Sequence, residues 1–228
     1  MRHLAGTTGG RAGRLLGAVV LLAGGLGVIV LLAGGAAEAA ACGTATAAGT
    51  ACTLTGTLGV ATGPLTMTSP TALAWSTTEN GADQQVVDPT VAQQSYVVND
   101  GTGSGAGWHV TVSATTFTTG PLSLPNTGSF VTTGSVTSEI AATAPTAACS
   151  SGSTCTLPTD TTTYPVAITT AASTPPASTI YDTSAATGLG SITIGIGALP
   201  VGWWVNVPAN TKVGTYTSTI SLTIVSAP

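Results

Sequence analysis

The chain has 228 residues, 43% of them hydrophobic and 5% charged, with a net charge of −4. Three of its four Lys and Arg residues (Arg2, Arg11 and Arg14) lie near the start, leaving Lys212 to face seven carboxylates beyond residue 41. Nothing here can neutralise a run of phosphates, which argues against a nucleic-acid partner and against electrostatic capture by an anionic wall or lipid surface.

The basic start is followed by an apolar run, Leu15 to Leu32, and a small-residue stretch, Gly34 to Ala41. This order is that of a secretory signal, with cleavage expected near residues 39–41 and a single domain over residues 42–228. If the segment is instead retained it anchors the chain in a membrane; in both cases the remainder lies outside the cell. Beyond the leader, about a fifth of the residues are Thr and aliphatic residues alternate with polar ones. That is a strand-forming rather than a disordered composition.

In chain order, Thr53 to Val60 places Leu54, Leu58 and Val60 on one face, and Leu65 to Met67 follows a Gly63-Pro64 turn. Ala72 to Thr77 carries Leu73 and Trp75, Val86-Val87 ends at Asp88-Pro89, and Gln94 to Asn99 carries Tyr96 and Val98. The glycine-rich NDGTGSGAG leads into GWHVTVSATTF, where Trp108, Val110 and Val112 alternate with His109, Thr111 and Ser113. Residues 139–176, rich in Ala, Thr, Ser and Pro, read as a long irregular excursion between strands. Three further strands are expected in SITIGIG, in GWWVNVP and at the end, where Tyr216, Ile220, Leu222 and Ile224 face one way. Many short strands with Gly/Pro turns and no helical period predict an all-β, sandwich-like fold of antiparallel sheets.

Four cysteines in an exported chain imply disulfides. Of three possible pairings, Cys149–Cys155 across the flexible CSSGSTC loop together with Cys42–Cys52 is favoured. Zinc and redox chemistry lack their motifs, since there is no close pair of metal-ligating cysteines and no CxxC. No metal and no cofactor are expected. His109 lies opposite the apolar face of its own strand and no GxSxG elbow accompanies it, so it reads as a surface histidine. Asp83, Asp88 and Asp100 are the carboxylates open to a glycosidase pair, but no pattern supports one. Trp75, Trp108 and Trp203 have aliphatic neighbours and read as core, while Trp204 faces away from Trp203 and suits stacking on a sugar ring.

The segments YVVNDGTGSGAGWHVTVSATTF (96–117) and WVNVPANTKVGTYTSTISLTIVSAP (204–228) resemble the WxL-domain family of Gram-positive surface proteins. Asp100, Trp108 and Phe117 fill the places of its first motif, and Pro208, Gly214, Tyr216, Leu222 and Pro228 those of its C-terminal one. Val110 stands in place of the first motif Leu and Ile220 in place of the second Trp. The resemblance implies a non-catalytic β-domain held non-covalently at the cell wall, through peptidoglycan or a companion surface protein. Trp108, at the family's tryptophan position, and Trp204 are then the residues expected to carry binding. An extracellular glycan-acting enzyme and a Thr-rich adhesin are the alternatives.

Overall fold

The computed structural model describes residues 40–41, 52–133 and 143–226. The expected signal segment up to residue 39, Cys42 and the start of the 139–176 excursion lie outside the described residues. The chain begins with β1 (Ala40–Ala41), β2 (Cys52–Thr53), β3 (Leu65–Thr68), β4 (Gln84–Val87) and β5 (Tyr96–Asp100). It continues through β6 (Trp108–Ala114), β7 (Thr118–Thr119), β8 (Leu122–Ser123), β9 (Ser129–Thr133) and β10 (Ala147–Cys149). It closes with β11 (Val166–Ile168), β12 (Ser178–Asp182), β13 (Gly190–Ile194), β14 (Val201–Val207) and β15 (Ile220–Ser226).

The contacts divide the chain into Met1–Leu58 and Gly59–Pro228. In the first unit β1 and β2 pair in parallel, Ala40 opposite Cys52. Cys52 is disulfide-bonded, and its expected partner Cys42 lies outside the described residues. The strand expected over Thr53 to Val60 stops at Thr53. Alternation alone does not make a strand: the backbone of residues 54–60 has no neighbour in a ladder, and Leu54, Leu58 and Val60 stay exposed.

The second unit is all-β and antiparallel. One sheet has the order β10-β13-β5-β3, a second β11-β9-β14-β4 and a third β12-β6-β15, with β7-β8 as a small hairpin. The excursion contributes two short edge strands, β10 and β11, and Cys149 at the end of β10 is bonded to Cys155 as expected. The strand expected over Ala72 to Thr77 is instead an extended strap without ladder pairing, although Leu73 and Trp75 turn inward as the alternation requires.

The inward faces meet around β6, where Trp108, Val110, Val112 and Ala114 are all buried. Val98 on β5, Ile192 and Ile194 on β13, Ile180 and Tyr181 on β12, and Trp203 on β14 complete this cluster. A register shift between Thr179 and Tyr181 lets the successive residues Ile180 and Tyr181 join the same core cluster. Tyr181 then stacks on Trp108, with centroids 5.6 Å apart and planes 20° apart.

An indole at 0% exposure needs a partner for its N–H. Trp108 Nε1 donates to the Gly188 carbonyl at 2.9 Å, and its backbone N–H donates to Thr183 Oγ1 at 2.7 Å. Gly188 sits at φ +75°, and a Cβ there would lie 2.8 Å from Nε1. The turn before Trp108 is built by side chains: Asp100 Oδ1 accepts the Thr102 N–H, Thr102 Oγ1 that of Ser104, and Ser104 Oγ that of Ala106. Each oxygen caps the backbone two residues on, as short polar side chains do in turns.

A half-buried polar knot ties the 160–164 loop to β12. Asp160 Oδ1 accepts from the Thr162 and Asp182 N–H groups, while the Tyr164 hydroxyl lies 2.8 Å from both Asp160 Oδ2 and the Ile180 carbonyl. Burial, then the Asp160 charge, pushes the Tyr164 and Tyr181 phenols well above the ordinary tyrosine range, and burial does the same for Tyr96.

Two predictions follow from this packing. Gly188→Ala should destabilise the domain by about 1–3 kcal/mol, through the left-handed backbone and the indole contact, as read by thermal melting. Unfolded tyrosines ionise near pH ~10 while the three buried phenols resist, so their stabilisation is intact below that pH and is lost as pH rises above it. Tyrosinate absorbance should therefore grow together with loss of the β circular-dichroism signal; ionisation of the buried phenols in a chain that stays folded would contradict this.

Candidate functional site

A groove of about 1050 Å³ opens beside the second and third sheets. Trp75, Phe117, Leu124, Trp203 and Val205 are among the apolar residues that line it. The strap of residues 70–79 forms one wall and residues 211–222 the other. Asp88, fully buried at the end of β4, holds the strap: its Oδ2 accepts the Ala74 N–H at 2.8 Å and its Oδ1 that of Thr90 at 2.8 Å. Trp75 Nε1 donates to the Trp203 carbonyl at 2.8 Å, and its ring meets Phe117 edge-on at 5.6 Å. Trp75 is thus fixed in place, half-buried, with part of its ring open to solvent.

A smaller groove of about 400 Å³ adjoins the first, lined by Ser123, Pro125, Pro208 and Asn210 and sharing Leu124, Thr211, Lys212 and Tyr216 with it. The turn between Lys212 and Tyr216 forms the ridge between the two, closed by the Tyr216 hydroxyl donating to the Lys212 carbonyl at 2.9 Å. At Gly214 the backbone passes so close to β7 that a Cβ would meet the Thr119 methyl at 2.8 Å. The charges lining the larger groove are Glu79 and Lys212; the rest of its polar lining is hydroxyl and backbone.

The expected binding residues lie elsewhere. Trp108 belongs to the central core, and Trp204, expected to expose a ring, is 4% exposed on the face of β14 opposite Trp203. The expectation of an exposed Trp204 ring is corrected: alternation put the two tryptophans on opposite faces, but both faces of this central strand are covered. Trp204 Nε1 is buried with no hydrogen-bond partner among the described residues. Neither indole offers a ring face to solvent.

His109 lies on the outer face of β6, in register with Asp182 on β12 and Val225 on β15. The next rank on that face is Thr179, Thr111 and Thr223, but the β12 bulge breaks the series. Asp83 and Asp88 flank β4 and Asp100 ends β5, and each accepts a backbone N–H: Asp83 from Ala209, Asp88 from Ala74 and Thr90, Asp100 from Thr102. Among the described residues no group of three His, Cys, Asp or Glu side chains is placed to hold a metal. No described helix is long and apolar enough to cross a membrane.

Five of the eight residues that carry the family resemblance gather at the grooves, while Trp108 and Asp100 belong to the core and the turn before it and Pro228 lies outside the described residues. Phe117, Gly214, Tyr216 and Leu222 line the larger one, and Pro208 with Tyr216 the smaller. Trp75 and Lys212 were not singled out by any motif; their signal is only an aromatic in a strand-like run that ends without a partner, and the lone Lys or Arg beyond residue 14.

No curated protein and no solved structure matches the chain. The family model described as "WxL domain surface cell wall-binding" matches residues 62–228, nearly the whole of the second unit. The chain therefore belongs to the WxL family of surface cell-wall-binding domains.

Proposed function

We propose that this is an exported, non-catalytic protein held non-covalently at the cell wall, through peptidoglycan or a companion surface protein, by the ridge between Lys212 and Tyr216 and the smaller groove beside it. The observation that carries the reading is the convergence of Phe117, Pro208, Gly214, Tyr216 and Leu222 on two adjoining grooves. The smaller groove suits one sugar ring of a polymer. It offers the Tyr216 ring for stacking, Ser123, Thr211 and Asn210 for hydrogen bonds, and Lys212 for a carboxylate.

The absence of catalysis rests on the carboxylates. Asp83, Asp88 and Asp100, the carboxylates open to a glycosidase pair, are each engaged with backbone N–H groups of different segments, which supports a non-catalytic reading. With one base in the contact, attraction depends weakly on ionic strength.

Retention of the purified protein by isolated cell walls tests this. Tyr216→Ala should weaken retention by about tenfold, and Asn210→Ala less, with the fold unchanged by circular dichroism. Retention should survive moderate salt. Retention equal to wild type in Tyr216→Ala, Asn210→Ala and Lys212→Gln alike would move the contact off this surface, and release by modest salt would contradict the charge argument.

A further inference from the structure

We propose that the slot between the 70–79 strap and the outer edge of β15 accepts residues 54–60 of a second copy of this chain as an added strand. This goes beyond wall binding and stands without it, because assembly is measured with no wall present.

The receiving edge follows from the ladder. The Thr115 N–H donates to the Thr219 carbonyl, and Thr118 and Thr217 exchange both backbone bonds. Residues 217 and 219 therefore point their backbone groups toward their own sheet, and alternation turns those of Ser218, Ile220 and Leu222 outward. Among the described residues none of these outward N–H and C=O groups has a backbone partner, and no backbone hydrogen bond joins the strap to this edge. All three residues line the larger groove. The edge carries no lysine, proline or bulge of the kind that guards exposed strands. Its surroundings suit a strand with one apolar face, because the adjoining floor is Trp75, Phe117 and Trp203.

The same chain contains such a strand without a partner. Leu54, Gly56, Leu58 and Val60 alternate with Thr55, Thr57 and Gly59. Leu54, Leu58 and Val60 are 83%, 89% and 86% exposed, and the segment joins no ladder. It is uncharged, so the net negative charge of the receiving domain does not repel it. Its seven residues match the seven from Tyr216 to Leu222.

A second copy is favoured over the chain's own segment by reach. Gly63 is pinned to Gly101 by a 2.7 Å hydrogen bond, near the Trp108 end of β6. The slot starts at Leu222, opposite Val112 and about 14 Å along the strand from Trp108, and runs on past Ile220, whereas residues 61–63 span only about 10 Å. The chain's own segment is too short-tethered to fill the whole slot. A second copy meets no such limit, and strand addition to an open edge is an established mode of association.

Light scattering on the purified protein over a range of concentrations, paired with hydrogen exchange, tests this. Self-association is expected, with slowed exchange at the Ser218, Ile220 and Leu222 amides. Leu58→Asp and Leu54→Asp, both at exposed positions that leave the fold intact, should each weaken association about a hundredfold or more and restore fast exchange at those amides. They should leave wall retention of the monomer unchanged, which separates this result from any failure of the wall-binding reading. A protein that stays monomeric at high concentration overturns the proposal, as does association that both variants leave unaltered.

Discussion

The fold depends on burying one indole completely. Trp108 can enter the centre of three sheets only if its N–H and its backbone are satisfied there, and that requirement shapes four positions, one beside it and three in the segment 181–188. Gly188 must lack a side chain so that its carbonyl can reach Nε1. Thr183 must present a hydroxyl to the Trp108 backbone. Tyr181 must be rotated onto the indole face by a bulge in β12. Gly107, at φ +85°, must let the preceding turn pass within contact of the Thr183 carbonyl. A buried polar atom left unpaired costs about as much as one or more hydrogen bonds contribute, so these conditions stand or fall together.

Scarcity of charge gives the few carboxylates a different task from the one they have in most proteins. Instead of facing cations they terminate backbone. Asp100 opens a turn in which hydroxyls take over as caps, Asp88 fastens the strap, and Asp160 joins a loop to β12 through two N–H groups and a phenol. Hydrogen bonds from N–H to a carboxylate are stronger than those between neutral groups. They also persist in salt, since backbone partners cannot be screened away as mobile counter-charges can. A surface domain built this way is held by directed bonds and apolar burial.

The all-β class, the burial of Trp108, Val110 and Val112, the Cys149–Cys155 bond and the family were legible because each is local in sequence: a period of two, a short cysteine loop, a motif in order. What could not be read was pairing. Thr53 to Val60 and Ala72 to Thr77 alternate as well as β6 does, yet neither forms a ladder, because alternation specifies a face and not a neighbour. Trp204 failed for a related reason. Its orientation relative to Trp203 was correct, but whether the second face of a sheet is covered is a property of the whole chain. The groove was illegible on the same ground: Trp75 and Tyr216 are 141 positions apart and meet only through the sheet order.

The two segments that alternate without pairing differ in one respect, and the difference bears on how this domain meets its surroundings. The strap is fixed at its middle, by Asp88 through Ala74 and by Trp203 through Trp75, so its unpaired backbone is compatible with a settled position. Residues 54–60 have no comparable attachment among the described residues, and their apolar side chains face water. At about 25 cal/mol per Å² of apolar surface, three exposed aliphatic side chains represent several kcal/mol of unrealised burial. The open edge at Ser218, Ile220 and Leu222 represents unrealised backbone bonding of the complementary kind. A lysine on that edge would have removed the complementarity at little structural cost. With a single lysine placed at the ridge instead, the chain keeps an unguarded strand edge beside an apolar groove.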